Sequence, residues 1–295
     1  MLILFLTIGV GYAAAKLGHL GPDFNRSLSN LVVYFTSPAL VLYSVIGAER
    51  VLSNRQVLLL TGISLASYAA LILIGLFLPR LLRVPAEDAG IYRFMTIFSN
   101  VGFMGFPVVE AIFGADAVFF AAIFQIPFNL LSFTYGLRLI AGRGTKLTVR
   151  QLLNPMTIST LLAYVLYLAN FRAPAVVIDL CNFIGSITSP AAMIILGVAL
   201  ASVPLKSVFT DAACYGLSLA KLLVIPILTY LALRPLVSNE LIVGVTVVMM
   251  AMPVATNTTM LCAQYGGNSA AAARGVFLTT LLSVVTIPFL MWLLF

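Results

Sequence analysis

Charged side chains make up only 8% of this 295-residue chain, and histidine occurs once. His19 lies in a connector, so a histidine-based zinc site or Ser–His nucleophilic chemistry has no material to work with. Cysteine is sparse as well. Cys181, Cys214 and Cys262 are odd in number, lack CxxC spacing and fall in or beside apolar stretches, which makes them packing residues rather than a disulfide framework or metal centre. No GxxxxGK[ST] loop occurs, so nothing in the chain supports direct ATP coupling, and no cofactor is called for. The net charge of +7 sits in short connectors that flank apolar runs, which speaks against a nucleic-acid partner and for a membrane one.

What is present is hydrocarbon. Hydrophobic residues account for 62% of the chain, and the mean hydropathy is +1.12. Soluble domains hold roughly 45–50% apolar residues, so the chain reads as an all-α polytopic membrane protein surrounded by lipid. A membrane-length window predicts ten spans, at about 2–17, 29–47, 56–79, 94–113, 117–140, 153–170, 177–200, 212–233, 241–264 and 270–295. The first begins without a basic n-region and reads as a span rather than a signal peptide. The connectors are short. The longest, 141–151, divides a first half, 1–140, from a second, 152–295.

Basic residues fall mainly in alternate connectors. Lys16, Arg26, Arg80, Arg83, Arg93, Arg138, Arg143, Lys146, Arg150 and Lys206 lie on one side, against Arg50, Arg55, Arg172 and Arg234 on the other. The positive-inside rule then places both termini outside the cytoplasm, in the inner (plasma) membrane of the cell. The halves also echo each other. Thr36-Ser37-Pro38-Ala39 in the second span recurs as Thr188-Ser189-Pro190-Ala191 in the seventh, and Ile126-Pro127-Phe128 in the fifth recurs as Ile287-Pro288-Phe289 in the tenth. Five spans per repeat turn the second copy upside down, the inverted-repeat plan of many secondary transporters.

Two stretches interrupt otherwise apolar spans: residues 99–107, with Ser99, Asn100, Gly102, Gly105 and Pro107, and residues 251–259, with Pro253, Thr256, Asn257 and Thr258. Proline removes a backbone donor and glycine loosens the chain. Irregular backbone at membrane depth survives only inside protein or beside a wet cavity. Half-helix N-termini at such breaks favour an anionic guest.

Other polar residues in the spans carry two readings each. Lys221, roughly 15 Å from either end of the eighth span, is too deep to snorkel and either attracts an anion, replaces a cation or bonds helix-break carbonyls. Glu110, three residues after Pro107, is expected in the first turn of a half-helix, as a capping acid or as a proton or cation carrier. Gln125 and Asn129 share a helix face, for inter-helix bonding or site lining. Thr256 and Asn257 offer oxygens to a substrate or a sodium ion, the only metal position the sequence offers. Ser37 and Ser189 flank prolines and are kink residues that can face a pocket, and Arg274 is expected at the interface.

Taken together, these pieces resemble the auxin efflux carrier family, which includes the plant PIN auxin transporters and bacterial carriers of small dicarboxylates. The matching pieces are Ser99-Asn100 through Gly105-Phe106-Pro107, Asn154-Pro155, Ser189-Pro190-Ala191 leading to Leu196-Gly197-Val198-Ala199-Leu200, and Met252-Pro253 with Asn257. The resemblance implies ten helices in two inverted five-helix repeats, with spans 1, 2, 6 and 7 as a scaffold and spans 3–5 and 8–10 as a transport domain. It implies that Pro-broken helices 4 and 9 cross and hold the substrate, that Asn100 bonds a carboxylate, that Pro107 and Pro253 mark the crossing, and that Gln125 supports it. It also implies a homodimer through the scaffold. Plant members pair the support residue with an acidic side chain on the third span, whereas Gln56 to Leu78 carries none here, which puts ion linkage at that place in question.

The expectation is a non-enzymatic secondary transporter of a small organic anion, a carboxylate, working by alternating access. Sodium coupling, proton coupling and uniport stay open. The rivals are a sodium/proton antiporter of similar architecture and a passive anion channel. An intramembrane hydrolase lacks a nucleophile with a paired base.

Overall fold

The computed structural model describes residues 2–47, 51–141, 155–202 and 211–295. Asn154, most of the 141–151 connector and the basic residues Arg50, Arg143, Lys146, Arg150 and Lys206 lie outside them. The described residues form helices and turns, with a single isolated β-bridge.

In chain order, α1 is Leu2–Lys16, and α2 (Pro22–Leu31) continues through a π-helical turn, Val32–Thr36, into α3 (Ser37–Ile46). The long α4 is Asn54–Leu81. α5 (Ala89–Ile97) ends at an interruption, after which a π-helical turn, Val101–Gly105, leads into α6 (Phe106–Phe113). α7 (Val118–Ile123), α8 (Gln125–Leu131) and α9 (Leu137–Ala141) complete the first half. The second half holds α10 (Pro155–Leu168), α11 (Ala175–Gly185), α12 (Thr188–Ala201), α13 (Ala212–Leu219), a π-helical turn Ala220–Val224, α14 (Ile225–Leu233), α15 (Glu240–Met250), α16 (Asn257–Tyr265) and α17 (Ser269–Leu294).

Among the described residues, six stretches are long and apolar enough to cross a bilayer: Pro22–Ile46, Asn54–Leu81, Ala115–Ala141, Ala175–Ala201, Ala212–Leu233 and Ser269–Leu294. Four shorter apolar helices, Leu2–Lys16, Val101–Phe113, Pro155–Leu168 and Glu240–Met250, fall within the other expected spans. The expected fourth span starts too late. Helix begins at Ala89 rather than at 94, because Tyr92 and Arg93 interrupt the hydropathy without interrupting the helix.

The two copies of the repeated tetrapeptide do similar work. Ser37 opens α3 after the π-helical turn, and Thr188 opens α12 after the break behind α11. Thr36 and Thr188 are both buried with Oγ1 unpaired.

The contacts divide the chain into two compact units. The first comprises Met1–Gly62, Val101–Ile126 and Leu152–Ser202; the second comprises Ile63–Asn100, Pro127–Gln151 and Val203–Phe295. Each draws on both halves of the sequence.

In the first unit α1 and α12 pack backbone to backbone. A Cβ placed on Gly11 would lie 2.6 Å from the Ile194 carbonyl oxygen, and one on Gly197 would lie 2.6 Å from the Tyr12 nitrogen. Small residues permit this approach, which lipid-embedded helices use in place of a hydrophobic driving force. Tyr167 ties α10 to the segment before α4, donating to the Leu52 carbonyl at 2.6 Å and accepting from its N–H at 3.0 Å while stacking on Phe119.

The second unit is organised by capped helix starts. Asp211 caps α13 through Ala213 N–H at 3.0 Å, Asn239 caps α15 through Ile242 N–H at 3.1 Å, and Asn268 caps α17 through Ala271 N–H at 3.0 Å. Asp211 also accepts from the Tyr92 hydroxyl at 2.9 Å and pairs with Arg274 at 3.3 Å. Arg274, expected at the interface, is tied to the cap of α13.

Candidate functional site

The site grows from two helix ends in the second unit. α5 stops at Ile97 and α15 stops at Met250, and each is followed by a few residues of non-helical chain. These segments meet. Ser99 and Val254 form an isolated antiparallel bridge, Asn100 N–H donates to the Pro253 carbonyl at 2.8 Å, and Ala255 N–H donates to the Phe98 carbonyl at 3.0 Å. Val254 N–H donates to Thr279 Oγ1 on α17 at 3.1 Å. Backbone groups that would each cost several kcal/mol, roughly, if unpaired in hydrocarbon are therefore satisfied by one another.

The side chains beside the bridge are not. Ser99 and Asn100 are 2% and 3% exposed. Ser99 Oγ, Asn100 Nδ2, Asn257 Oδ1 and Thr280 Oγ1 are buried with no hydrogen-bond partner. Leaving such groups unmet costs about 1–3 kcal/mol each, so each of them has capacity for a polar partner. α16 begins at Asn257 within the same unit, and no side chain caps its first turn. An uncapped helix N-terminus presents N–H groups and partial positive charge, the arrangement that receives a carboxylate.

Lys221 belongs to this unit as well. Its side chain is 1% exposed, and Nζ donates to the Thr96 carbonyl at 2.9 Å, one residue before α5 ends. Of the three readings the sequence left open, a bond to a helix-break carbonyl is the contact present.

The remaining expected residues among those described lie in the first unit, apart from Asn129, Thr256 and Thr258, which lie in the second. Gly102 and Gly105 fall in the π-helical turn after the break, and a Cβ on Gly102 would stand 3.6 Å from Gln125 Oε1. Gln125 opens α8, and both it and Asn129 are buried. Ser37 is buried at the start of α3. Ser189 Oγ donates to Glu110 Oε2, joining α12 to α6.

The two prolines differ in local setting: Pro253 lies inside the non-helical segment, whereas Pro107 stands in the opening turn of α6, directly after the π-helical turn. One expectation needs correction. Glu110 is not a first-turn capping acid. Helical chain resumes at Val101, and Glu110 lies near the far end of α6, where Gly114 N–H reaches its carbonyl.

Sequence reasoning missed Thr279, Thr280 and the Asp211 cluster. Threonine in an apolar span is usually bonded to its own helix, and Thr279 does donate to the Gly275 carbonyl at 2.7 Å. Its second role as an acceptor comes from the tertiary fold.

Comparison with known proteins bears on this geometry. A family model described as membrane transport protein matches twice in tandem, over residues 1–151 and 145–291. A "Putative malonate transporter" of Rhizobium meliloti (strain 1021) is 28% identical over 98% of this chain and 93% of its own length. An uncharacterized transporter of Methanocaldococcus jannaschii is 24% identical over 100% of this chain and 97% of its own, and one of Methanothermobacter thermautotrophicus is 25% identical over 98% and 95%. With both halves matched and apolar helices of bilayer length between them, the chain belongs to the membrane transport protein family of the auxin efflux carrier type and is an integral membrane protein.

Proposed function

We propose that the chain is a secondary carrier of a small organic anion, a carboxylate, seated where the interrupted fourth and ninth spans cross. The observation that carries this is the cluster of unpaired buried groups, Ser99 Oγ, Asn100 Nδ2 and Asn257 Oδ1, in the segments that the Ser99–Val254 bridge joins. Asn100 Nδ2 and the Ser99 hydroxyl donate to carboxylate oxygens, and the first turn of α16 at Thr256 and Asn257 adds its N–H groups. The name of the Rhizobium relative makes malonate the first substrate to try.

Alternating access around ten helices in two inverted five-helix repeats is the mechanism this reading adopts. The recurring Thr-Ser-Pro-Ala pieces and two compact units that each draw on both halves support it. Glu110, held by Ser189, is the candidate for proton coupling. A sodium/proton antiporter would want a carboxylate at the breaks, and residues 98–100 and 251–257 contain none.

Counterflow in proteoliposomes tests the proposal. Protein reconstituted with unlabelled malonate inside should accumulate labelled malonate saturably and lose it to excess unlabelled malonate. Flux that rises linearly with concentration would indicate a channel, and no flux with any mono- or dicarboxylate would end the anion reading.

A further inference from the structure

In an unbroken helix the Thr96 carbonyl would receive the N–H of Asn100, four residues on. That N–H is turned to the Pro253 carbonyl instead, at 2.8 Å. The vacancy on Thr96 is filled by Lys221, whose Nζ donates to it at 2.9 Å from the π-helical turn Ala220–Val224. Carbonyls at a helix C-terminus carry partial negative charge, and half-helix C-termini at membrane depth are where a carrier of this plan coordinates a cation. Lys221 has no carboxylate partner: the two ion pairs among the described residues are Arg234–Glu240 and Arg274–Asp211. Buried and without an acid, the Lys221 amine is turned to the carbonyl end of α5.

We propose that Lys221 is a resident cation, supplying at the C-terminus of α5 the charge that a bound sodium or potassium ion would otherwise bring, so that the organic anion binds with no metal co-ion. The proposal rests on the anion-carrier reading and assigns its ion requirement. It makes Lys221 a positioning and specificity residue whose charge is fixed in place by the break itself.

Thermal unfolding of the purified protein, free of organic anion, in choline chloride, sodium chloride and potassium chloride at matched ionic strength tests it. The unaltered protein should melt at the same temperature in all three, and Lys221→Arg should do likewise. Lys221→Ala should melt lower in choline by roughly 5 °C or more and recover saturably as sodium replaces choline, since a ligand that binds only the folded state raises apparent stability. If Lys221→Ala does not survive purification, Lys221→Gln keeps an N–H for Thr96 without the charge and carries the same arm. Saturable stabilisation of the unaltered protein by sodium or potassium overturns the proposal, as does indifference of the neutral variants to sodium. No organic anion enters these measurements, so their failure leaves the carrier reading standing, whereas failed counterflow would remove the anion from the proposal and leave these melts to decide only whether Lys221 stands in for a cation at α5.

Discussion

Asn100 separates two functions within one residue. Its main-chain N–H ties the breaks together through Pro253, while its side-chain nitrogen is buried and unpaired. Asn100→Ala removes only the second. A hydrogen bond to a charged group contributes about 1.5–3 kcal/mol, so malonate counterflow at sub-saturating concentration should fall roughly 10-fold or more with little change in thermal midpoint; a large drop in midpoint would mean the side chain holds the fold instead. The position stood out in the sequence because an amide among apolar neighbours at membrane depth calls for a partner. Pro107 shows the limit of that reading: it stands in the opening turn of α6, after the non-helical residues, and sequence alone does not say on which side of a proline a break lies.

At the level of elements, hydropathy located most helix ends to within two residues, missed the starts at Pro22 and Ala89 by seven and five, and said nothing of which faces touch. Gly11 and Gly197 are more than a hundred positions apart in the chain, yet each sits where the other helix's backbone leaves no room for a Cβ. Gly197→Ala should force α1 and α12 apart and destabilise the first unit by about 1–3 kcal/mol, measurable as a lower unfolding temperature in detergent. The cap of α13 was equally invisible, since Tyr92, Asp211 and Arg274 come from three distant segments. Burial alone would raise the Asp211 carboxyl, but hydrogen bonds from Tyr92, from the Cys214 thiol and from the N–H groups of Cys214 and Ala213 outweigh it and hold the group below the usual carboxylate range. A carboxyl depressed in the folded state adds stability that is present above its unfolded value, about 3.9, and is lost as pH falls through the lower folded value. The unfolding temperature should therefore drop in strong acid, and Asp211→Asn should be less stable near neutrality and show a shallower acid decline.

For the whole molecule, the tandem family match and the recurring tetrapeptides make the two-part build readable from composition and order alone, whereas the division into compact units was not, because it cuts the fourth span at Asn100 and the fifth at Ile126. The orientation proposed from where arginine and lysine fall, with both termini outside, is testable. A reporter that fluoresces only in the cytoplasm should stay dark when fused to either end, and a bright signal at either terminus would reverse the assignment. The joint between the breaks has a further consequence. It is made of main-chain atoms from Phe98, Asn100, Pro253 and Ala255, so replacing any of their side chains leaves it intact unless proline removes an amide. Substitutions can thus recast the polar groups around the joint, one neighbouring residue at a time, without loosening the main-chain pin that fastens the two helix breaks together.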